Sequence, residues 1–146
     1  MRCRAVRRLK RQLGRRGTIL TCYGLVWVLY GVAQQITPQV DQRGLKLLLN
    51  LAPIEFWGWC WIIAGLIALA SAWAPPGRDA AGFAALAVIV APWTATYLAT
   101  WALGEFPRGW VAAAIWTVIT VPVIVVAGWP EPPRRKRAEA PYGYES

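Results

Sequence analysis

Apolar residues in this chain fall in long runs broken by short polar interruptions, and no polar face recurs at the helical period inside the runs. The runs cover 18–36, 54–74, 80–103 and 110–129. Each is close to the ~20 residues that a helix needs to cross the hydrocarbon core of a bilayer. The only Asp, Glu, Lys or Arg inside them is Glu55, at the start of the second. A helix in a soluble bundle keeps a polar outer face, whereas helices apolar on every side suit lipid. The pattern predicts an all-α membrane protein: a four-transmembrane-helix bundle, up-down-up-down, over residues 18–129. A basic N-terminal tail (1–17) precedes it, a Pro-rich and basic tail (130–146) follows, and both tails read as disordered.

Ordinary punctuation marks the ends of the runs. Thr37-Pro38 ends the first. Pro53 sits where a first helical residue would, with Glu55 in the first turn, at the positive end of the helix dipole. Pro75-Pro76-Gly77 stops the second run, and Asp79 is placed to cap the third. Gly104 and Pro107 make the turn into the fourth, which Pro130, Pro132 and Pro133 stop. The two short connections make their flanking spans antiparallel neighbours. In the longest connection, 37–52, the leucine-rich stretch 44–51 has two readings: an amphipathic turn of helix in the interface, or an early, frayed start of the second span. A processing alternative also stands. The basic start, the apolar stretch 18–30 and Gly31-Val32-Ala33 have the form of a signal peptide, whose cleavage would leave three spans. With the first span kept, Gln34 and Gln35 can hydrogen-bond at its outer end.

Charge adds orientation. The chain is 57% hydrophobic, only 16% charged, and carries a net +9. Residues 1–17 carry +8, the 75–79 connection is neutral and the tail from Pro130 carries +1; the two connections on the other side, 37–55 and 104–109, are each neutral. Positive charge flanking spans marks the cytoplasmic side, so both termini are expected in the cytoplasm of a multi-pass plasma-membrane protein. This placement directs the basic residues to anionic lipid headgroups, with Arg15, Arg16, Arg134, Arg135, Lys136 and Arg137 nearest the spans. Nucleic acid is not expected as a partner.

Ten tryptophans divide by depth. Trp57, Trp59, Trp101 and Trp110 fall near one surface and Trp73 and Trp129 near the other, as in an aromatic belt. Trp27, Trp93 and Trp116 fall deeper and are expected to face the bundle interior, where an indole N–H finds an acceptor. Trp61 lies between belt and core. Small residues form stripes: Ala87, Ala91, Ala95 and Ala99 on the third span, Ala64, Ala68 and Ala72 on the second. Such faces let helix backbones approach closely, and the simplest expectation is that the two stripes meet, within one subunit or between copies. Gly24 and Gly31 share a face of the first span. Pro92 and Pro122, near the middle of the third and fourth spans, are candidate kinks, with Thr94, Thr96, Thr117 and Thr120 near the carbonyls they free.

Chemistry is sparse. There is no histidine, and Cys3, Cys22 and Cys60 are scattered, which argues against zinc, haem held by histidine and a disulfide framework. Cys22 and Cys60 read as small apolar residues inside the bundle. Glu55 and Glu105 lie at the outer boundary, too shallow for a proton relay; capping accounts for the first and a pair with Arg108 for the second. No cofactor is implied, and no catalytic constellation is present in the pattern. Small multidrug exporters also have four spans but carry a carboxylate within the first, which this chain lacks.

Four stretches carry a resemblance: Arg15-Arg16-Gly17-Thr18; Leu51-Ala52-Pro53 before Trp57-Gly58; Gly77-Arg78-Asp79 before Gly82-Phe83; and Phe106-Pro107-Arg108-Gly109-Trp110. With arginine outnumbering lysine thirteen to three, the chain resembles small four-span membrane proteins of high-GC actinobacteria and their phages. The resemblance implies a membrane context and carries no active site. Three function classes follow, in this order: a non-enzymatic membrane protein acting through helix–helix contacts with a second copy or another membrane protein, a holin-like lysis protein, and a small transporter or channel subunit.

Overall fold

In a computed structural model, described over residues 2–37, 43–74 and 78–129, the chain is an all-α bundle. Helix α1 is Arg2–Ile36; a 3-10 turn, Arg43–Leu45, runs into α2, Lys46–Leu49; α3 is Ile54–Ser71, α4 is Ala80–Ala102 and α5 is Gly109–Ala127. Four of these are long and apolar enough to span a membrane: the Gly14–Ile36 part of α1, α3, α4 and α5. The Pro-rich stops at Pro75 and after Trp129, and the tail basic residues Arg134, Arg135, Lys136 and Arg137, lie outside the described residues.

The N-terminal tail departs from expectation. Helix begins at Arg2, and its regularity breaks only at Gly14, where φ is 66° and ψ is −171°. That region of backbone space is open essentially to glycine alone. The second span is shorter than its apolar run. Regular helix stops at Ser71, and Trp73 and Ala74 donate to Ala70 and Ser71 in tighter three-residue turns. Pro75 disfavours the α conformation at the residue before it, so the last turn tightens ahead of the proline. Pro53 is the N-cap of α3 rather than its first helical residue. The connection at 44–51 is not an early start of α3: Asn50–Pro53 separates it from α3 as an irregular segment, and it packs on α4 with Leu45 and Leu48 buried. Helix α4 ends in a Schellman turn, with Gly104 at φ 74°, its N–H donating to Trp101 and that of Glu105 to Thr100.

Packing runs chiefly α1 on α3, α3 on α4 and α4 on α5. The α1–α3 seam is built on paired glycines. A Cβ added at Gly31 would stand 2.5 Å from the Gly58 carbonyl, and one at Gly65 would stand 2.6 Å from the Gly24 carbonyl. Both helices carry glycine at seven-residue spacing, and the antiparallel register matches Gly24 to Gly65 and Gly31 to Gly58. Backbones this close exchange dispersion across their full length, the main attraction left between helices once both are in lipid.

Candidate functional site

Three features of the bundle have enough geometry to act. The first is an aromatic core. Trp61 of α3 is fully buried and its ring meets Trp27 (5.1 Å between centroids) and Tyr30 (4.8 Å) of α1, Trp93 (5.3 Å) of α4 and Trp116 (5.4 Å) of α5. One side chain therefore touches all the other spans, mostly edge to face, the arrangement that the ring quadrupoles favour. The Trp27 indole N–H donates to the Leu86 carbonyl at 3.2 Å, and Trp57 donates to the Leu48 carbonyl at 3.3 Å. The buried N–H groups of Trp61 and Trp93 have no acceptor in hydrogen-bonding geometry; the Tyr30 hydroxyl faces Trp93 and Gln34. Beside this core, Cys22, Tyr23, Trp27, Tyr30, Trp116 and Ile119 line an apolar groove of ≈ 350 Å³ between α1 and α5.

Most tryptophans sort as their depth suggested, but Trp57, expected in the belt, is half-buried against Trp93, and Trp61, expected between belt and core, is fully buried. Trp27 and Trp93 are buried and Trp116 is half-buried, whereas Trp59, Trp73, Trp101, Trp110 and Trp129 are exposed. Cys60 is half-buried; Cys22 is exposed at the groove rather than inside the bundle.

The second feature is a polar staple at one end. Arg16, two residues inside the Gly14 break, places Nε 2.6 Å and Nη2 3.0 Å from the two carboxylate oxygens of Asp79. Its Nη1 donates to the Ala127 and Trp129 carbonyls at 2.9 and 2.8 Å and lies 3.3 Å from that of Val126. Its guanidinium also sits 4.8 Å over the Phe83 ring. A bidentate carboxylate and the orphan carbonyls at a helix C-terminus together match a planar five-donor fork, which an ammonium group could not satisfy. Two sequence assignments change here. Arg16 faces into the bundle instead of joining the headgroup cluster, while Arg15 beside it is exposed. Asp79 holds the N-cap position of α4 but makes no side-chain cap bond, because its carboxylate serves Arg16.

The third feature is a groove of ≈ 420 Å³ between α4 and α5, with Ala87, Ala91, Ala95 and Thr94 on one wall and Thr117 and Thr120 on the other. The Thr117 and Thr120 hydroxyls donate to their own helix, to the Ala113 and Trp116 carbonyls at 2.8 Å each. The alanine stripes do not meet within the subunit. Ala64, Ala68 and Ala72 are buried, but Ala91 and Ala95 are exposed and Ala87 and Ala99 half-buried. Four-residue periodicity identifies a face without saying what it faces.

Pro92 and Pro122 lie inside unbroken helices. The carbonyls they free are those of Val88 and Val118, and the observed threonine bonds go elsewhere: Thr117 and Thr120 as above, and Thr100 to Thr96 at 2.9 Å. At the far end, Glu105 pairs with Lys46 at 3.4 Å, not with Arg108, because the α2 connection folds over it. Gln35 donates to the Glu55 carbonyl at 2.7 Å, and Gln34 is buried. Among the described residues, no three His, Cys, Asp or Glu side chains gather to hold a metal ion. No protein-family model, curated protein or solved structure compared with the chain matches it.

Proposed function

We propose that the chain is a non-enzymatic integral membrane protein that acts by helix–helix contact, with the α4–α5 groove receiving a helix from a second copy or another membrane protein. The observation that carries this reading is the groove itself: small side chains at Ala91 and Ala95, exposed, with half-buried Ala87 on the same wall, beside Thr117 and Thr120, whose hydroxyls donate to their own helix. α5 adds surface, since only 17% of its most apolar window is buried, the lowest of the four spans. The reading keeps both termini cytoplasmic and the spans up-down-up-down, supported by the charge bias and by the staple that brings the start of α4 and the end of α5 to Arg16. It also keeps α1 uncleaved, since Leu20, Trp27 and Gly31 of that helix are core residues. The boundary motifs support a phage or actinobacterial membrane setting.

The test is association in the membrane. Cross-linking of single cysteines at Thr94 or Val121 is expected to capture a neighbour, and Ala91→Leu with Ala95→Leu is expected to abolish capture while leaving the monomer's unfolding unchanged. Capture that persists with both leucines present would move the contact off this groove. Induced expression is expected to leave the membrane potential intact; an abrupt, delayed collapse would favour the holin-like reading instead. Transport is less favoured, because both grooves are apolar and helices α4 and α5 run unbroken through their prolines.

A further inference from the structure

Residues 2–13 form helix, and the break at Gly14 separates that helix from the span. The segment long and apolar enough to span a membrane begins at Gly14 itself, so the preceding helix adjoins it with no linker between them. Two residues further on, the Arg16 staple holds this depth against α4 and α5.

Twelve residues make more than three helical turns, long enough for a face to be defined. At 3.6 residues per turn, Ala5, Val6, Leu9 and Leu13 fall within an arc of about 100°. Arg4, Arg7, Arg8, Lys10 and Arg11 fall on the opposite arc, about 160° wide. Arg2 alone falls among the apolar positions, in the first turn. A short helix with one apolar arc and a basic remainder is the pattern of a segment that lies in the plane of a membrane surface.

We propose that residues 2–13 are an in-plane anchor: a basic amphipathic helix that lies on a bilayer surface rich in anionic phospholipid, with Gly14 as the elbow between plane and span. Charge complementarity selects the occupant. Five positive charges on one arc, tethered directly at the surface, match a layer of phosphate headgroups, and the apolar arc matches the acyl boundary beneath it. The elbow needs glycine, since no residue with a Cβ holds φ 66° with ψ −171° without strain. The proposal rests on residence in a bilayer and not on helix association, so it stands or falls separately from the groove.

The test uses the full chain in vesicles. Cys3, Cys22 and Cys60 are replaced by alanine, and one cysteine is introduced by Leu9→Cys or Arg11→Cys and labelled with an environment-sensitive fluorophore. The vesicles are phosphatidylcholine with or without phosphatidylglycerol and carry a lipid-borne spin quencher. With phosphatidylglycerol, the Leu9 label is expected to be quenched about threefold more than the Arg11 label, and the difference should shrink in phosphatidylcholine alone. Gly14→Ala, which favours a continuous straight helix, should remove most of the Leu9 quenching while intrinsic tryptophan emission reports an intact bundle. Equal quenching at both positions with phosphatidylglycerol present would overturn the in-plane helix. An asymmetry of the same size in both lipid mixtures would overturn its preference for anionic surfaces.

Discussion

Adding one methyl group at Gly31 should damage this bundle more than most larger changes at its surface. The new Cβ would stand 2.5 Å from the Gly58 carbonyl oxygen, 2.7 Å from Ile62 Cγ1 and 2.9 Å from the Ile62 backbone nitrogen. Ordinary contact begins near 3.4 Å, and two of these neighbours are backbone atoms that no rotamer change can move. Relief requires α1 and α3 to part by roughly 1 Å, and a gap of that size forfeits a quarter to a half of each dispersion contact along the seam. Overpacking of this kind costs about 1–3 kcal/mol. Gly65→Ala should behave alike, its Cβ falling 2.6 Å from the Gly24 carbonyl. One parting of the helices relieves both clashes, so the double variant should cost less than the two single changes together. Gly128→Ala is the control: its nearest neighbour lies at 3.6 Å, and the change should stay within about 0.5 kcal/mol. Unfolding in mixed micelles, followed by tryptophan emission, measures all four variants. If Gly31→Ala and Gly128→Ala unfold alike, the seam is not held by close backbone approach and the reasoning fails.

Further outcomes follow from the core and the ends. Trp61→Ala removes the ring shared by all the other spans; a loss of about 3–5 kcal/mol is expected, with collapse of the near-ultraviolet circular dichroism of the packed indoles. Arg16→Gln and Asp79→Asn each leave a mostly buried partner uncompensated and should each cost about 3–5 kcal/mol in the same unfolding assay. Their double variant should be less damaging than the sum, and Arg16→Lys should not restore the wild-type value, because it lacks the fork. Lys46→Ala breaks only the exposed pair with Glu105 and should shift stability by less than about 1 kcal/mol, an effect that vanishes at high salt.

What could be read in the sequence was whatever one helix carries alone. The four spans follow from run length and from the absence of a polar face, and the division of tryptophans into belt and interior follows from depth along each run. What depends on two helices was not readable in the same way. Trp61 was placed between belt and core, yet it is the most connected ring in the bundle, because its direction is fixed by the register of α3 against three neighbours. Ala91 and Ala95 have the spacing of a contact face but point away from the subunit. The glycine seam had a signal: Gly58 and Gly65 repeat the seven-residue spacing of Gly24 and Gly31, and matching the two repeats would have paired the helices. Lys46 became the partner of Glu105 only because the α2 connection folds back, which no local pattern encodes.

The staple has a consequence in time. Arg16 enters the membrane region with the first span, but two of its carbonyl partners, those of Ala127 and Trp129, lie more than a hundred residues later, at the end of the last span. Until α5 is inserted, the guanidinium lacks those acceptors, and the Asp79 carboxylate at the start of α4 is its partner in the chain. On the proposed orientation, the same charge serves twice in succession: as a topological marker while the chain is being threaded, and as part of a lock once α5 is in place. A chain truncated before α5 would keep the Asp79 pair and lose the carbonyl half of the staple. On the proposed orientation, it would insert the same way round, with the tie between first and last spans absent at that end.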